Sequence, residues 1–214
     1  MRTRSLYESV YQGGEGTEMI LMLLYTDVKQ MQEDFGAAEE FSEGAEGFKG
    51  CVRTFEDIQA FFGGQYDFEG FNLPRVELDK FKAAGGRFRH EIPDDVQYIC
   101  AALIRDMPTQ MHELAHGLFY LDMEFQQHVT RWVLDGGPDK LTGVKRELLG
   151  WGYSENTDWA DEMFAYAVDT AVCINGGDEV TVLAEIIGKE MLDRALDIFK
   201  AFAQKTIYMT QAVL

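Results

Sequence analysis

The chain has 214 residues, of which 46% are hydrophobic and 13% aromatic, so it can bury a core for one domain, or for one domain with a small appendage. It carries 37 acidic and 19 basic residues, which gives a net charge of −18. Nucleic-acid-binding proteins carry a basic footprint, and anionic membranes repel acidic proteins. We therefore expect neither a nucleic acid nor a membrane as a partner.

The first residues do not have the pattern of a secretion signal, because polar and glycine-rich residues follow the charged start. The longest early apolar run, residues 19–25, is too short to cross a bilayer. The three cysteines (Cys51, Cys100 and Cys173) are far apart and form no CxxC pair, which fits a reducing compartment. We expect a cytoplasmic protein, with signal-less export or packaging in a virion as the alternatives.

The first hundred residues mix strand and helix patterns. Short apolar runs predict two strands, at residues 18–25 and 96–104. Helical spacing of apolar residues predicts three helices, at residues 28–40, 54–62 and 76–84. Segments rich in glycine predict a loop at residues 41–50 and a turn at residues 70–74.

From residue 109 onward the pattern is helical almost throughout. It predicts six helices, at residues 109–121, 122–134, 141–149, 157–173, 179–187 and 189–209. Pro108 and Thr109 form the start of the first, and Thr157 caps the fourth. The predicted fold is a single α+β domain, in which a small N-terminal sheet region (residues 1–107) packs on a predominantly helical C-terminal half (residues 108–214).

The most specific pattern is His-Glu-Leu-Ala-His at residues 112–116. Residues four apart stack on one face of a helix, so His112 and His116 can direct two imidazoles at one metal ion. Glu113 lies one step round the helix, where a general base for a metal-bound water belongs. With only four histidines in the chain, the expected chance count of this pattern is roughly one in a hundred, so chance explains it poorly.

The flanks of this pattern favour a buried metal helix. Glu113 is the only charged residue between positions 109 and 118, apart from the two histidines, and a metal site must exclude stray water. Two other interpretations are a core helix with two hydrogen-bonded histidines and a structural zinc site. Structural zinc prefers closed, cysteine-rich ligand sets, which the scattered cysteines do not offer.

A catalytic zinc takes three protein ligands, and Glu162 is the preferred third. It shares a predicted helix face with Trp159, Met163 and Tyr166. A carboxylate within such an apolar and aromatic stripe is costly unless a cation compensates it. Glu162 at the edge of the stripe, in contact with solvent, is the alternative.

Other residues remain candidates for the third ligand. Asp122 lies ten residues after His112, where sites of the HExxHxxGxxH type place a ligand, but Phe119 stands where that type needs glycine. His128 is the second rival. Glu147 and Glu155 are further candidates.

These residues resemble the zincin superfamily of zinc metallopeptidases, specifically the gluzincin type, in which a second helix donates a glutamate to the metal. The resemblance covers residues 109–118 well and residues 159–166 less closely. It implies a zincin-like fold, with zinc bound by His112, His116 and Glu162.

The resemblance also implies an activity, the hydrolysis of peptide bonds in a protein or peptide substrate through a zinc-bound water activated by Glu113. Tyr153, Tyr166 and His128 are the candidates for stabilising the oxyanion of the intermediate. In zincins, the strand before the metal helix pairs with extended substrate, so residues 96–101 are expected to form the substrate-binding edge.

One departure from the family concerns the residue that orients a metal-binding histidine. Gluzincins of the thermolysin kind have aspartate four residues after the ligand glutamate, whereas this chain has Tyr166. Asp158, Asp161 or Asp169 are the candidates for that role.

Two other classes of function compete with the peptidase. One is a metal-binding interaction protein with a zincin-like fold and no hydrolytic activity. The other is a ferritin-like di-iron oxidase, because Glu113 and His116 also form an ExxH motif. That architecture needs a second ExxH on another helix, and the sequence has none.

Overall fold

The computed structural model describes residues 19–44, 47–64, 66, 68–155, 157–177 and 181–204, and the backbone of residues 207–213. The fold is α+β and mostly helical, and the chain forms two compact units. Unit 1 comprises Met1–Asp106 and Thr206–Leu214, and unit 2 comprises Met107–Lys205. Within the described part, no helix has the length and apolar character needed to cross a bilayer.

Unit 1 contains a four-stranded sheet in the order β2-β3-β1-β4. Its strands are β1 (Met19–Tyr25), β2 (Gly70–Pro74), β3 (Val96–Leu103) and β4 (Ile207–Val213). β1 runs parallel to both β3 and β4, and β2 runs antiparallel to β3. The two strands predicted from apolar runs are confirmed as β1 and β3, although residue 18 lies outside the described residues.

Three helices belong to unit 1: α1 (Val28–Ser42), α2 (Phe55–Phe61) and α3 (Arg75–Ala83). Side chains fix where two of them begin. The Asp27 carboxylate accepts hydrogen bonds from two backbone N–H groups at the start of α1, and Thr54 forms a reciprocal capping box at the start of α2. The three predicted helices are confirmed, and α1 extends two residues into the predicted loop.

Unit 2 is helical in its described residues. Its helices are α4 (Met107–Leu121), α5 (Met123–Gly136), α6 (Pro138–Gly150), α7 (Trp159–Gly176), α8 (Val182–Ile187) and α9 (Lys189–Ala203). The long helix α7 packs against both α4 and α9. Trp132, Phe125 and Phe164 form edge-to-face contacts in its core, where all three are almost fully buried.

Two predictions of secondary structure were wrong. Residues 70–74 form strand β2, where Phe71 and Leu73 alternate into the core, whereas glycine and proline at the segment's ends indicated a turn. The helix predicted over residues 189–209 ends at Ala203, and a strand follows it because β4 pairs with β1. For the helix predicted at 179–187, residues 179 and 180 lie outside the described residues, and α8 covers the remainder from Val182.

The expected substrate-binding edge at residues 96–101 was also wrong. β3 hydrogen-bonds with β1 on one side and with β2 on the other, so it is an interior strand of the sheet. Residues 98–101 are already paired with strands on both sides, so an extended peptide cannot add to them.

Candidate metal centre

Helix α4 holds the two histidines of the motif on one face, as their spacing predicted. The Nε2 atoms of His112 and His116 lie 3.1 Å apart. The two residues are only 8% and 5% exposed. Residues 112–118 of α4 are all buried, so the imidazoles face one another in a site from which most water is excluded.

The third member of the group comes from the first turn of α7. The Oε2 atom of Glu162 lies 3.8 Å from Nε2 of His116, and the ligand atoms of His112, His116 and Glu162 all lie within 4.8 Å of one another. The Asp158 side chain accepts hydrogen bonds from the backbone N–H groups of residues 160 and 161, so it fixes the start of α7. The cap of this helix is therefore Asp158 and not the predicted Thr157.

The spacing of these atoms can be compared with that of a tetrahedral zinc site. Zinc–ligand distances of about 2.0–2.1 Å place neighbouring ligand atoms about 3.3 Å apart. The observed separations of 3.1 Å and 3.8 Å lie close to that value. Because the separations within the group extend to 4.8 Å, simultaneous contact of all three groups with one ion requires the Glu162 carboxylate to move closer to the imidazoles. Two imidazole nitrogens and one carboxylate oxygen are a ligand set of hydrolytic zinc sites, so these residues fit zinc.

Carboxylates of α7 also lie behind both imidazoles. The Oδ2 atom of Asp161 lies 2.9 Å from Nδ1 of His116, and Oδ2 of Asp169 lies 3.9 Å from Nδ1 of His112. A carboxylate at Nδ1 fixes the ring orientation and leaves Nε2 to face a metal. Two of the three residues that the sequence offered for this role are therefore beside a histidine, whereas Asp158 caps the helix.

The two histidines differ in their affinity for protons. Burial, followed by the charge of His116, lowers the pKa of His112 well below its usual value. Burial also acts to lower the pKa of His116. The nearby carboxylates of Asp161, Glu162 and Glu113 outweigh burial and raise this pKa to about 10. Without metal, protonated His116 can therefore donate its Nε2–H to Nε2 of neutral His112. One proton then occupies the position between the two Nε2 atoms that a metal ion would take.

Glu113 is buried on the same helix, at 6% exposure. Its carboxylate contributes to the raised pKa values of His116, Tyr153 and Tyr166, so it lies within electrostatic range of all three. The predicted general base is thus within electrostatic range of His116, and the group of residues that could hold a metal ion consists of the two histidines and Glu162.

Of the two predicted tyrosines, Tyr166 lies beside His112 and Tyr153 hydrogen-bonds to Tyr166. Their hydroxyl oxygens are 2.9 Å apart. The Tyr166 ring makes an edge contact with the His112 imidazole, with ring centroids 4.5 Å apart. Burial, followed by the Glu162 charge, raises the pKa of Tyr153, and burial raises the pKa of Tyr166 to about 12. Both hydroxyls are therefore protonated at neutral pH and can donate hydrogen bonds.

The turn after α6 positions Tyr153. Gly152 adopts a positive φ of 103°, and the backbone N–H of Tyr153 donates to the carbonyl of Leu148 at 3.1 Å. Trp151 contacts Tyr166, with ring centroids 5.5 Å apart. Trp151 was not predicted as part of the site. Its position within a Gly-Trp-Gly segment was the available indication.

The rival ligands have other roles. Asp122 caps α5 by accepting hydrogen bonds from two backbone N–H groups, and the His128 ring contacts Phe202. Glu155 pairs with Lys145 at 2.6 Å. Glu147 lies 3.6 Å from the Arg146 guanidinium. Among the residues described, the cluster of potential ligands consists of His112, His116 and Glu162.

A comparison with known proteins found no relative of this chain. No protein-family model, no curated protein and no solved structure matches this chain. Any function must therefore be inferred from the side chains of the site itself.

Proposed function

We propose that this protein is a zinc-dependent peptidase, with a protein or peptide as its substrate. The observation that carries the proposal is the group of two buried imidazole nitrogens and one partly buried carboxylate oxygen within 4.8 Å of one another. Asp161 behind His116, and Glu113 beside the group, add the parts that a hydrolytic site needs besides its ligands.

In this proposal His112, His116 and Glu162 hold the zinc ion. When bound, zinc supplies a Lewis acid and lowers the pKa of a coordinated water towards about 7. Asp161 keeps Nδ1 of His116 hydrogen-bonded, so that the lone pair of Nε2 remains directed at the ion. The Asp169 carboxylate lies 3.9 Å from Nδ1 of His112, beyond hydrogen-bond distance, and acts on that imidazole through its charge.

In this proposal Glu113 transfers a proton from the attacking water to the leaving amine. Its carboxylate takes a proton from the attacking water and later delivers it to the nitrogen of the leaving amine. Burial of Glu113 beside the ligands keeps bulk water from exchanging with that proton during the reaction.

The tyrosine pair supplies a hydrogen-bond donor for the developing oxyanion. Tyr153 and Tyr166 have two hydroxyl protons between them, and their mutual hydrogen bond uses one. The second hydroxyl proton is left for another acceptor, and the oxygen of a scissile carbonyl is the acceptor that we propose.

We propose a zincin-like arrangement for helices α4 and α7, and for no other part of the fold. A histidine helix followed by a later helix that donates glutamate is the order of elements in a gluzincin. The interior position of β3 departs from that family, so substrate must bind without pairing to this strand.

The test combines metal content with proteolysis. Wild-type protein is expected to carry one zinc per chain and to cleave an unfolded protein such as reduced casein. Glu113→Gln is expected to keep its zinc and to be about 10²–10⁴-fold less active than the wild type, since the substitution removes the base but no ligand. Glu124→Gln, an exposed residue at the start of α5, is the matched control and should remain active.

Two outcomes would contradict the peptidase. Full activity in Glu113→Gln would remove the proposed base, and zinc binding with no proteolysis by the wild type would favour a metal-binding interaction protein. Iron in place of zinc would point to oxidase chemistry instead.

A further inference from the structure

Unit 1 contains a cavity of about 550 Å³ that has no part in the proposed peptidase. Residues 86–89 form one wall, together with Lys82, Glu33 and Asp34. The volume is within the range of about 300–1,000 Å³ in which small-molecule sites fall, so a small organic ligand fits it and a single ion does not fill it.

The wall of this cavity carries three cations and two carboxylates, so it is net basic, although the chain as a whole is acidic. Between residues 80 and 90 the sequence has two lysines and two arginines and no acidic residue, whereas the chain carries 37 acidic against 19 basic residues. Three of these cations line the cavity: Lys82, Arg87 and Arg89. Like charges gathered around one concave surface attract an anion, because the low-dielectric walls concentrate their field.

A buried carboxylate holds one of these cations in place. The Asp34 side chain is 1% exposed, and its oxygens lie 3.0 Å from Nη1 of Arg89 and 3.1 Å from Nε2 of His90. The Tyr25 hydroxyl also donates to Asp34, at 3.2 Å. A carboxylate buried this deeply needs such partners, and in return it fixes the Arg89 guanidinium at the cavity wall. The Arg89 side chain is still 58% exposed, so its remaining N–H groups can reach a ligand.

The other two cations, Lys82 and Arg87, are placed differently from Arg89. Nζ of Lys82 lies 5.7 Å from the centre of the Phe88 ring, a cation–π contact that keeps the ammonium near the cavity. Among the residues described, no carboxylate lies within ion-pair distance of Lys82 or Arg87. Glu33, the remaining acidic residue of the wall, lies 3.8 Å from Lys29.

We propose that this cavity binds a small organic anion that carries phosphate groups. Guanidinium groups match phosphate oxygens through paired hydrogen bonds, and the lysine ammonium adds a third cation for a group with more than one negative charge. The half-buried Phe88 ring offers an apolar contact for the organic part of the ligand. The net charge of the protein does not prevent this, because at physiological salt charges more than about 8 Å away are largely screened.

The experiment measures binding of pyrophosphate by isothermal titration calorimetry, with citrate as a polycarboxylate probe. The test variant is Lys82→Gln with Arg87→Gln. Its matched control is Lys49→Gln with Arg53→Gln, which removes the same charge from exposed residues of unit 1 that do not line the cavity. Thermal unfolding of each variant checks that it remains folded.

The proposal predicts that wild type and control bind pyrophosphate alike and that the test variant binds about tenfold more weakly or worse. Three results would overturn it. These are no binding of pyrophosphate by the wild type, equal weakening in both variants, and citrate binding as tight as that of pyrophosphate. The last result would assign the cavity to polycarboxylates.

Discussion

Asp161→Asn is the substitution that tests the surroundings of the proposed metal site most sharply. It keeps the shape of the side chain and removes the charge that lies 2.9 Å from Nδ1 of His116. Loss of such a partner typically weakens metal binding 10–100-fold, or by about 1.4–2.8 kcal/mol. We therefore expect the zinc dissociation constant to rise by that factor. Competition with a fluorescent zinc chelator at fixed pH measures it.

Two further substitutions on α7 separate this contact from a general effect of charge. Asp169→Asn removes a carboxylate 3.9 Å from His112, beyond hydrogen-bond distance, so its effect should be smaller than that of Asp161→Asn. Asp158→Asn removes the same charge from the cap, where asparagine serves equally well, and should leave zinc affinity within about twofold. Equal losses in Asp158→Asn and Asp161→Asn would refute the assigned role of Asp161.

Three other predictions concern pH, catalysis and the fold. The raised pKa of His116, about 10 in the folded protein, means that zinc must displace one proton at neutral pH, so zinc affinity should rise about tenfold per pH unit between pH 6.5 and 8. Tyr153→Phe should lower kcat about 10²-fold, with zinc content and KM nearly unchanged, because it removes a hydroxyl of the tyrosine pair that we propose as the oxyanion donor. Phe71→Ala should destabilise the protein by about 3–5 kcal/mol in urea unfolding, since Phe71 is 1% exposed in β2, whereas Phe68→Ala, at 47% exposure, should cost much less.

The stability of the metal-free protein gives a second check on the pH prediction. A pKa raised above its unfolded value contributes stability that is complete below about pH 6.5, so that contribution should fall as pH rises towards 10. Zinc affinity that is independent of pH would contradict protonation of His116. An unchanged kcat in Tyr153→Phe, or equal effects of Phe71→Ala and Phe68→Ala, would count against the corresponding assignments.

Local spacing explains what the sequence could predict of the site. His112 and His116 are four residues apart on one helix, so their common face follows from helical geometry alone. Glu162 is distant in sequence, and only the cost of burying a carboxylate pointed to it. Asp161 and Asp169 could not be separated from Asp158, because the rotation of α7 relative to α4 is set by packing of the two helices and not by the sequence of either.

Non-local pairing explains most of what the sequence could not predict of the fold. The first three residues of strand β4 were assigned to a helix, because the partner strand β1 lies almost the whole chain away. Strand β2 begins with glycine and ends with proline, and these residues indicated a turn. The two inward-facing residues between them, Phe71 and Leu73, were therefore not recognised as a strand pattern. The interior position of β3 depends on both neighbours, so no local pattern could exclude a free edge. The basic cavity of unit 1 likewise needs α1 and residues 86–89 to meet.

The most direct measurement is the metal content and zinc K-edge absorption spectrum of purified protein, beside Glu162→Gln and the exposed control Glu155→Gln. We expect one zinc per chain in the wild type and in the control, bound by two imidazole nitrogens and a carboxylate oxygen at about 2.0–2.2 Å. Glu162→Gln should lose the carboxylate oxygen and most of its zinc. A wild type without bound metal, or a Glu162→Gln variant with an unchanged spectrum, would contradict the three-residue zinc site.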